Sequence, residues 1–215
     1  MTCVAVLGGS FDPVHKGHVA LADYFSGLLA PSALRVIPAG NPWQKNGLQA
    51  SAEDRVAMLT RAFVQQKPAV SIDQQEIQRH TATYSIDTLR ALRAELGPDT
   101  SIVFLIGADQ LQKLHTWRDW QKLFDYAHIC AATRPGFAID ASQIQQAVAA
   151  EFTRRSGTAE QIRTTPYGLC YLGTDLAVDI SATEVRARIK SGAAPEALLP
   201  PAVLDYIQQH HLYQS

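Results

Sequence analysis

Short apolar runs alternate with longer amphipathic segments along the chain, and this alternation limits its possible folds more than any other feature. Between the runs, apolar side chains recur every three or four positions, as in Leu21, Phe25 and Leu29, which is the spacing of one helix face. Strands that alternate with helices predict an α/β fold with a mostly parallel sheet covered on both faces. The clearest buried strands are predicted at residues 3–7, 34–38, 101–106 and 128–132.

Weaker patterns predict the remaining elements. Residues 70–73 suggest a strand toward an edge of the sheet, and residues 169–172 and 176–178 suggest the last two strands. A short helix containing Trp117 and Trp120 is expected after the central strand, and a polar, mobile loop is expected at residues 154–165. Helices are predicted at residues 51–63, 85–96, 141–155, 181–190 and 201–210.

The polar clusters of the chain follow predicted strands. In a parallel sheet, ligands bind beyond the carboxyl ends of the strands, at the point where the strand order reverses. The clusters are therefore expected to gather at one edge of the sheet. They comprise residues 8–18, residues 40–45, residues 107–109, Arg134 and Ser181.

Residues 8–18, GGSFDPVHKGH, join the first predicted strand to the first predicted helix, which is expected to open near His18. A helix start offers unpaired backbone N–H groups and the positive end of a dipole, which suits phosphate. Gly8 and Gly9 allow a ligand to approach the backbone, and Ser10, His15 and His18 supply side-chain donors. The alternative is a structural glycine turn with two surface histidines. The glycine spacing fits neither a Walker A loop nor a dinucleotide fingerprint.

Composition narrows the class of protein. The formal net charge of −1 argues against a general nucleic-acid binder. No segment has the pattern of a signal peptide or a membrane span, and the three cysteines are scattered through apolar runs, so free thiols in a reducing cytoplasm are expected. His80, His128, His210 and His211 lack metal-ligand spacing, so no protein-held metal site is predicted. One domain over residues 1–215 is expected, with a helical part from about 181 packed on it.

Four further polar residues are candidates for ligand contact. Asp109 follows the central strand beside Gly107, where its carboxylate could accept ribose hydroxyls or cap a helix. Ser181 begins a capping-box pattern with Glu184, which is a helix start in its own right. Lys45 and Arg134 could neutralise phosphate charge, although exposed basic side chains are most often simply solvated.

Several separated motifs resemble one family. Residues 8–18 are similar to the signature of the nucleotidyltransferase superfamily with the His-x-Gly-His motif, and in this form to the bacterial nicotinate mononucleotide adenylyltransferases. The resemblance covers almost the whole chain. In the second loop the chain departs from the family, with Pro42-Trp43-Gln44-Lys45 where many members carry Pro-Pro-His-Lys. The other shared motifs are residues 37–40, 84–89, 106–109, 114–117, 134–136 and 180–186.

The resemblance implies a Rossmann-like three-layer α/β/α sandwich that transfers AMP from ATP to nicotinate mononucleotide, a step of NAD biosynthesis. It further implies a direct in-line attack without a covalent intermediate, although a covalent histidine intermediate is an alternative. Mg²⁺ is expected to arrive with ATP, and no nucleic acid or membrane partner is expected. The resemblance assigns catalysis to His15, His18 and Arg186.

The same resemblance assigns the two substrates to overlapping sets of residues. Those expected to bind ATP are Gly8, Gly9, Ser10, Phe11, His15, His18, Gly107, Asp109, Ile180, Ser181, Thr183 and Arg186. Those expected to bind nicotinate mononucleotide are Ser10, Lys45, Tyr84, Ser85, Asp109, Trp117 and Arg134.

Two alternatives stay open at this point. Another member of the superfamily could act on phosphopantetheine or make a CDP-alcohol, and a nucleotide-binding regulator could have lost turnover. Tyr84, Ser85 and Trp117 argue against the first alternative. The intact His15, His18 and Arg186 argue against the second. The sequence does not decide between a monomer and a homodimer.

Overall fold

The computed structural model describes residues 1–40, 47–79, 81–133, 144–176, 178 and 180–214. Over these residues it contains a six-stranded sheet in the order β3-β2-β1-β4-β5-β6, and every strand pair is parallel. The strands are β1 (Cys3–Gly9), β2 (Ala33–Pro38), β3 (Val70–Ile72), β4 (Ser101–Gly107), β5 (His128–Ala132) and β6 (Cys170–Gly173).

Helices connect these strands and cover the sheet. Two 3₁₀ segments, Leu114–Thr116 and Trp120–Asp125, precede β5. The α-helices of the described chain are α1 (Lys16–Leu29), α2 (Ala52–Ala62), α3 (Ser85–Leu96), α4 (Ala108–Lys113), α5 (Gln146–Arg154), α6 (Ala159–Thr164), α7 (Ala182–Ser191) and α8 (Pro201–Gln209).

Each face of the sheet carries its own apolar layer, because successive side chains of a strand point to opposite faces. In β1, Ala5 and Leu7 pack with α1, α2 and α8, whereas Val4 and Val6 pack with α3 and α5. The three-layer Rossmann-like fold predicted from the sequence is confirmed.

The strand order reverses between β1 and β4. From β1 the chain steps outward through β2 to β3, then returns to β4 on the other side of β1 and continues to β6. Val6 of β1 therefore pairs with Arg35 on one side and Phe104 on the other. This reversal leaves a crevice at the carboxyl ends of β1 and β4, where ligands bind in such sheets.

The mobile loop expected at residues 154–165 is wrong, because half of these residues, 159–164, form α6. Thr158 caps this helix by accepting a hydrogen bond from the Gln161 N–H at 3.2 Å, and Ile162 is fully buried beneath it. One buried isoleucine and a capping box therefore fold a segment whose composition is otherwise polar.

Two further element predictions need correction. The segment with Trp117 and Trp120 is not one helix, since Trp117 lies between α4 with its 3₁₀ extension and the second 3₁₀ segment. Leu176 and Val178 are not in a strand: the Leu176 N–H donates to the Thr133 carbonyl, and the Val178 N–H turns back onto Leu176. The helix expected over residues 141–155 begins at Gln146, and residues 141–143 lie outside the described part.

Two kinds of titratable side chain are fully or almost fully buried in the sheet. His128 donates from Nε2 to the Thr165 carbonyl at 2.8 Å and accepts at Nδ1 from the Leu169 N–H at 3.1 Å. Burial, with a smaller effect from the Arg93 charge, lowers the pKa of His128. All three cysteines are free and buried, and burial raises the pKa of the Cys170 thiol to about 12.

Within the described segments, no helix combines the length and the apolar character needed to cross a membrane.

Candidate active site

A cavity of about 870 Å³ opens at the carboxyl ends of β1 and β4, where the strand order reverses. Most of the site residues expected from the sequence line it, although they come from five separate parts of the chain. They are Gly8, Gly9, Ser10, His15, His18, Tyr84, Ser85, Gly107, Asp109, Trp117, Ile180, Ser181, Thr183 and Arg186.

The remaining expected residues are placed differently. Phe11 does not line the cavity: it is 1% exposed, with φ +49°, and its ring meets the His18 ring edge-on at 4.9 Å. Its side chain supports a histidine from the core side. Lys45 and Arg134 lie outside the described residues, as do Trp43 and Gln44 of the second loop.

The first helix begins two residues earlier than expected, at Lys16, with His15 as the N-cap in an extended conformation. Gly17 permits this geometry. A Cβ at Gly17 would lie 3.0 Å from Nδ1 of His15 and 3.6 Å from Cβ of Ile180. The glycine therefore lets both the His15 ring and the segment before α7 approach the helix start.

His18 has a defined orientation. Its Nδ1 accepts a hydrogen bond from the His15 backbone N–H at 3.2 Å, and its ring stacks on that of His15 with centroids 3.7 Å apart. A ring nitrogen that accepts carries no proton, so the neutral His18 ring holds its proton on Nε2. Nε2 is thus the hydrogen-bond donor that His18 can offer to an anion.

A second helix start, that of α7, borders the same cavity. Ser181 caps it by accepting from the Glu184 N–H at 3.2 Å, and the Glu184 carboxylate pairs with Arg188 farther along the helix. Arg186 donates to the Asp12 carbonyl at 2.6 Å, and its other terminal nitrogen lies 3.4 Å from the Thr183 hydroxyl. The starts of α1 and α7 together give the cavity two groups of backbone donors and one guanidinium.

An aromatic region forms the other part of the cavity. Trp117 packs edge-on against Phe104 of β4, and Tyr84 is the N-cap of α3. The Arg118 guanidinium lies 4.8 Å from the centre of the Tyr84 ring. This region combines a flat indole, a third helix start and an exposed positive charge, which suits a planar anion.

A partly buried carboxylate adjoins this region. Oε1 of Glu76 accepts from the Thr88 hydroxyl at 2.6 Å, and Thr88 in turn accepts from Arg79 at 3.1 Å. Burial raises the pKa of Glu76. Gly40 lies so close to this segment that a Cβ there would overlap the Glu76 carbonyl oxygen. The chain just after β2 therefore accepts no side chain at position 40.

Asp109 lies exposed in the first turn of α4, directly after β4. Its Oδ2 accepts from the Gln110 side chain at 2.9 Å, and a Cβ at Gly107 would come within 3.1 Å of Oδ1. The carboxylate borders the cavity, so it can accept hydrogen bonds from hydroxyl groups of a ligand.

Sequence reasoning did not single out Arg55, Glu76 or Arg118, of which Glu76 and Arg118 line the cavity and Arg55 holds the first loop. Arg55, 2% exposed, donates from one nitrogen to the carbonyls of Ser10 at 2.9 Å and Ala39 at 2.7 Å, and so joins the first loop to the end of β2. Its place four residues before Leu59, on the apolar face of α2, was the available signal. Glu76 and Arg118 gave no comparable signal, because neither stands in a patterned motif.

Comparisons with known proteins identify the family of the chain. The family model described as cytidylyltransferase-like matches residues 6–188, which defines the class of the protein. A protein of Herminiimonas arsenicoxydans named "Probable nicotinate-nucleotide adenylyltransferase" is 70% identical, covering 99% of this chain and 97% of that protein. A protein of the same name from Laribacter hongkongensis is 41% identical over 99% of this chain and 94% of its own length.

Solved structures share the fold. The nicotinic acid mononucleotide adenylyltransferase of Plasmodium falciparum, complexed with NaAD, superposes with a TM-score of 0.75 at 20% identity, covering 99% of this chain and 98% of that one. The chain therefore belongs to the cytidylyltransferase-like family and, within it, to the nicotinate-nucleotide adenylyltransferases, which are nucleotidyltransferase enzymes.

Proposed function

We propose that this enzyme transfers AMP from ATP to nicotinate mononucleotide, giving nicotinate adenine dinucleotide and pyrophosphate, a step of NAD biosynthesis. The observation that carries the proposal is the composition of one cavity. The stacked His15–His18 pair and the start of α7 with Arg186 adjoin an aromatic region containing Trp117. Two anion-binding helix starts beside a flat apolar surface match a phosphate-rich nucleotide next to a planar ring.

The reaction requires positioning more than acid–base chemistry. The attacking phosphate monoester has a second pKa of about 6, so it is already largely dianionic at neutral pH and needs no general base. The attacking oxygen forms a bond to the α-phosphorus of ATP as the bond to the pyrophosphate oxygen breaks. A direct in-line displacement accounts for the site without a covalent intermediate. Bringing two polyanions together and stabilising the leaving pyrophosphate are the tasks left to the protein.

The histidines and Arg186 supply that stabilisation. The Nε2–H of His18 and the His15 side chain, beside the start of α1, donate to phosphate oxygens whose negative charge grows as the α-phosphate bond breaks. Arg186 neutralises charge on the triphosphate, with Ser181 and Thr183 as further donors at the start of α7. Asp109 accepts from ribose hydroxyls.

The aromatic region determines the acceptor substrate. Trp117 stacks on the pyridine ring, and the start of α3 at Tyr84 and Ser85 receives the nicotinate carboxylate on backbone N–H groups. An amide in place of the carboxylate would lose a charge-assisted contact, so nicotinate mononucleotide is preferred over the nicotinamide form. Lys45 and Arg134 are proposed to neutralise its phosphate.

Mg²⁺ is proposed to enter with ATP. In the described part of the chain, no three or more His, Cys, Asp or Glu side chains are grouped to hold a metal ion. The donors described at the two phosphate-binding helix starts are N–H groups, hydroxyls and a guanidinium, which suit phosphate oxygens. This set fits an ion that keeps several waters and is carried by the substrate phosphates. Such an ion would neutralise triphosphate charge.

We also propose that the whole chain acts as one nucleotidyltransferase domain on small molecules. Three free, buried cysteines are typical of a reducing compartment, so we expect the enzyme to work in the cytoplasm.

The test is pyrophosphate release from ATP or CTP with a panel of acceptors. Nicotinate mononucleotide with ATP should support turnover, with kcat/KM at least about tenfold above that for nicotinamide mononucleotide, as expected for the loss of one charge-assisted hydrogen bond. Comparable values for both mononucleotides would contradict the carboxylate preference. Turnover restricted to phosphopantetheine, or to CTP, would indicate another member of the superfamily, and no release with any acceptor would indicate a regulator.

A further inference from the structure

Asp12 of the first loop is the meeting point of four parts of the chain. Its carboxylate, 4% exposed, accepts from the Gln49 N–H at 2.8 Å through Oδ2 and from the Ala50 N–H at 3.0 Å through Oδ1. Its backbone carbonyl accepts from Arg186 at 2.6 Å. Oδ1 also accepts from the hydroxyl of Tyr213, near the end of the chain, at 2.7 Å. One residue thus links the first loop, the end of the second loop, α7 and the C-terminal segment.

Tyr213 reaches Asp12 by an unusual path. The chain turns sharply after α8, with the Leu212 N–H donating back to the Ile207 carbonyl. Tyr213 then adopts φ +63°, the left-handed region that costs a non-glycine residue of order 1 kcal/mol or more. Such a conformation persists only where surrounding contacts require it. Here the side chain is 7% exposed and its hydroxyl is directed at a buried carboxylate.

The electrostatics of this contact keep the tyrosine protonated. Burial, together with the hydrogen bond to Asp12, raises the pKa of Tyr213. The hydroxyl is therefore protonated at neutral pH and donates to Asp12. The buried Arg55 guanidinium adds positive charge near the Asp12 carboxylate and holds the neighbouring Ser10 carbonyl.

We infer that Tyr213 is a positioning residue for adenylyl transfer: by holding the Asp12 carboxylate, it fixes the first loop relative to Arg186 and to the second loop. The inference rests on the proposed function, because these are the elements proposed to hold the two reacting phosphates. Without the hydroxyl, the carboxylate loses its donor from the C-terminal segment. Displacements near 1 Å in a reacting geometry cost up to about a hundredfold in rate.

The same C-terminal segment supplies a matched control. Tyr206 on α8 also donates to a carboxylate, Oδ1 of Asp54 on α2, at 2.9 Å. Asp54 does not line the cavity. Tyr206→Phe and Tyr213→Phe each remove one hydroxyl-to-carboxylate hydrogen bond between the C-terminal segment and the rest of the fold. If the two hydroxyls only stabilise the fold, both variants should have the same effect on kcat. If Tyr213 positions the first loop, only Tyr213→Phe should lower kcat.

The experiment measures kcat and KM for ATP and nicotinate mononucleotide in both full-length variants, well below their unfolding midpoints. Tyr213→Phe should lower kcat at least about tenfold, and Tyr206→Phe should leave kcat within twofold of the parent protein. A kcat for Tyr213→Phe within twofold of the parent, or an equal fall in both variants, would overturn the inference. In an Asp12→Asn background, Tyr213→Phe should have a smaller effect than it has alone, because the two residues act as a pair.

Amide hydrogen exchange gives a readout that does not depend on turnover. Exchange of residues 47–51 should accelerate in Tyr213→Phe and stay unchanged in Tyr206→Phe, because the Gln49 and Ala50 amides bind the same carboxylate. A parent protein without activity on this substrate pair would contradict the proposed function alone. Unchanged exchange in Tyr213→Phe would contradict the role of Tyr213 whatever the substrate proves to be.

Discussion

A single side chain can serve both the fold and the chemistry when its two polar atoms point in different directions. Nδ1 of His18 accepts from the His15 N–H and so helps to close the start of α1. That hydrogen bond also places the proton on Nε2, the nitrogen proposed to meet the phosphate. The helix start and the orientation of the donor are thus set by one contact.

Because Nδ1 serves the fold and Nε2 serves the chemistry, two substitutions at His18 should affect activity and stability differently. His18→Ala should lower kcat by about a hundredfold or more, the usual cost of removing one donor from a developing anion, with a much smaller change in KM for ATP. His18→Asn should lower kcat similarly, since its Oδ1 can replace Nδ1 as acceptor but nothing replaces Nε2. Steady-state kinetics with thermal unfolding would test this.

Only His18→Ala should lose stability, by about 1 kcal/mol, because it alone removes the acceptor at the helix start. The matched His18→Asn variant therefore separates the loss of the fold contact from the loss of the donor. A parent-like kcat in either variant would refute the role given to Nε2.

The residues that sequence reasoning found and missed differ in a physical way. His15 and His18 stand in a contiguous motif between a strand and a helix, so their neighbours reveal their setting. Arg55 and Tyr213 act on the first loop from 45 or more positions away along the chain. Their effect depends on tertiary contacts that no local pattern records.

Among the elements, the starts of α1 and α7 matter most, because both present N–H groups to the same cavity. They come together because β1 and β4 are neighbours in the sheet and because the chain returns to the same edge of the sheet at α7, late in the sequence. Ser181 is suited to a double role. Its hydroxyl satisfies one N–H of the first turn and leaves others available to phosphate.

Ser181→Ala should therefore have two effects. Loss of the cap should cost about 1 kcal/mol of stability, and loss of a neutral donor should raise KM for ATP by about fivefold. Thr158→Ala is the control, because Thr158 caps α6 through a hydrogen bond of the same length, 3.2 Å, and does not line the cavity. Urea unfolding and ATP kinetics on both variants separate the effects. Equal KM values in the two variants would limit Ser181 to a capping role.

Helices and strands with a longer or more regular apolar pattern were predicted more accurately from the sequence. The strands at residues 101–106 and 128–132 and the helix at residues 85–96 were predicted closely, because long apolar runs or regular helical spacing mark them. The short α6 was missed, since one buried isoleucine is too little to give a periodic signal. Leu176 and Val178 are apolar enough for a strand, but both line the cavity instead.

On the scale of the whole molecule, side chains buried in the sheet connect segments that are distant in sequence. His128 begins β5 and is hydrogen bonded to residues on both sides of the turn that leads into β6. Both ring nitrogens are satisfied only in the neutral form, because Nδ1 must accept from the Leu169 N–H. Protonation of Nδ1 would point its N–H at the N–H of Leu169 in a buried site.

Stability should consequently fall in mild acid. The folded pKa of His128 lies below its unfolded value of about 6.5, so below this pH the unfolded chain binds the extra proton and is favoured. The free energy of unfolding should drop by about 1–2 kcal/mol between pH 7 and pH 5. Urea titrations at several pH values measure this slope.

Two variants assign the slope to His128. His128→Asn should be less stable at pH 7, since it loses the Nε2–H donor, but its stability should depend less on pH over this interval. His211→Asn, at an exposed position, should retain the parent slope. An identical slope in His128→Asn would show that other groups cause the acid sensitivity.

The buried thiols have a practical consequence for studying this enzyme in solution. Cys3, Cys130 and Cys170 are all buried, and burial raises the pKa of each, so none offers a thiolate to an alkylating dye at neutral pH. A cysteine introduced at the exposed Gln112, on the cavity wall, would be the sole reactive thiol. The natural sequence is therefore ready for site-specific labelling, and fluorescence from that position can follow substrate entry without any native cysteine being removed.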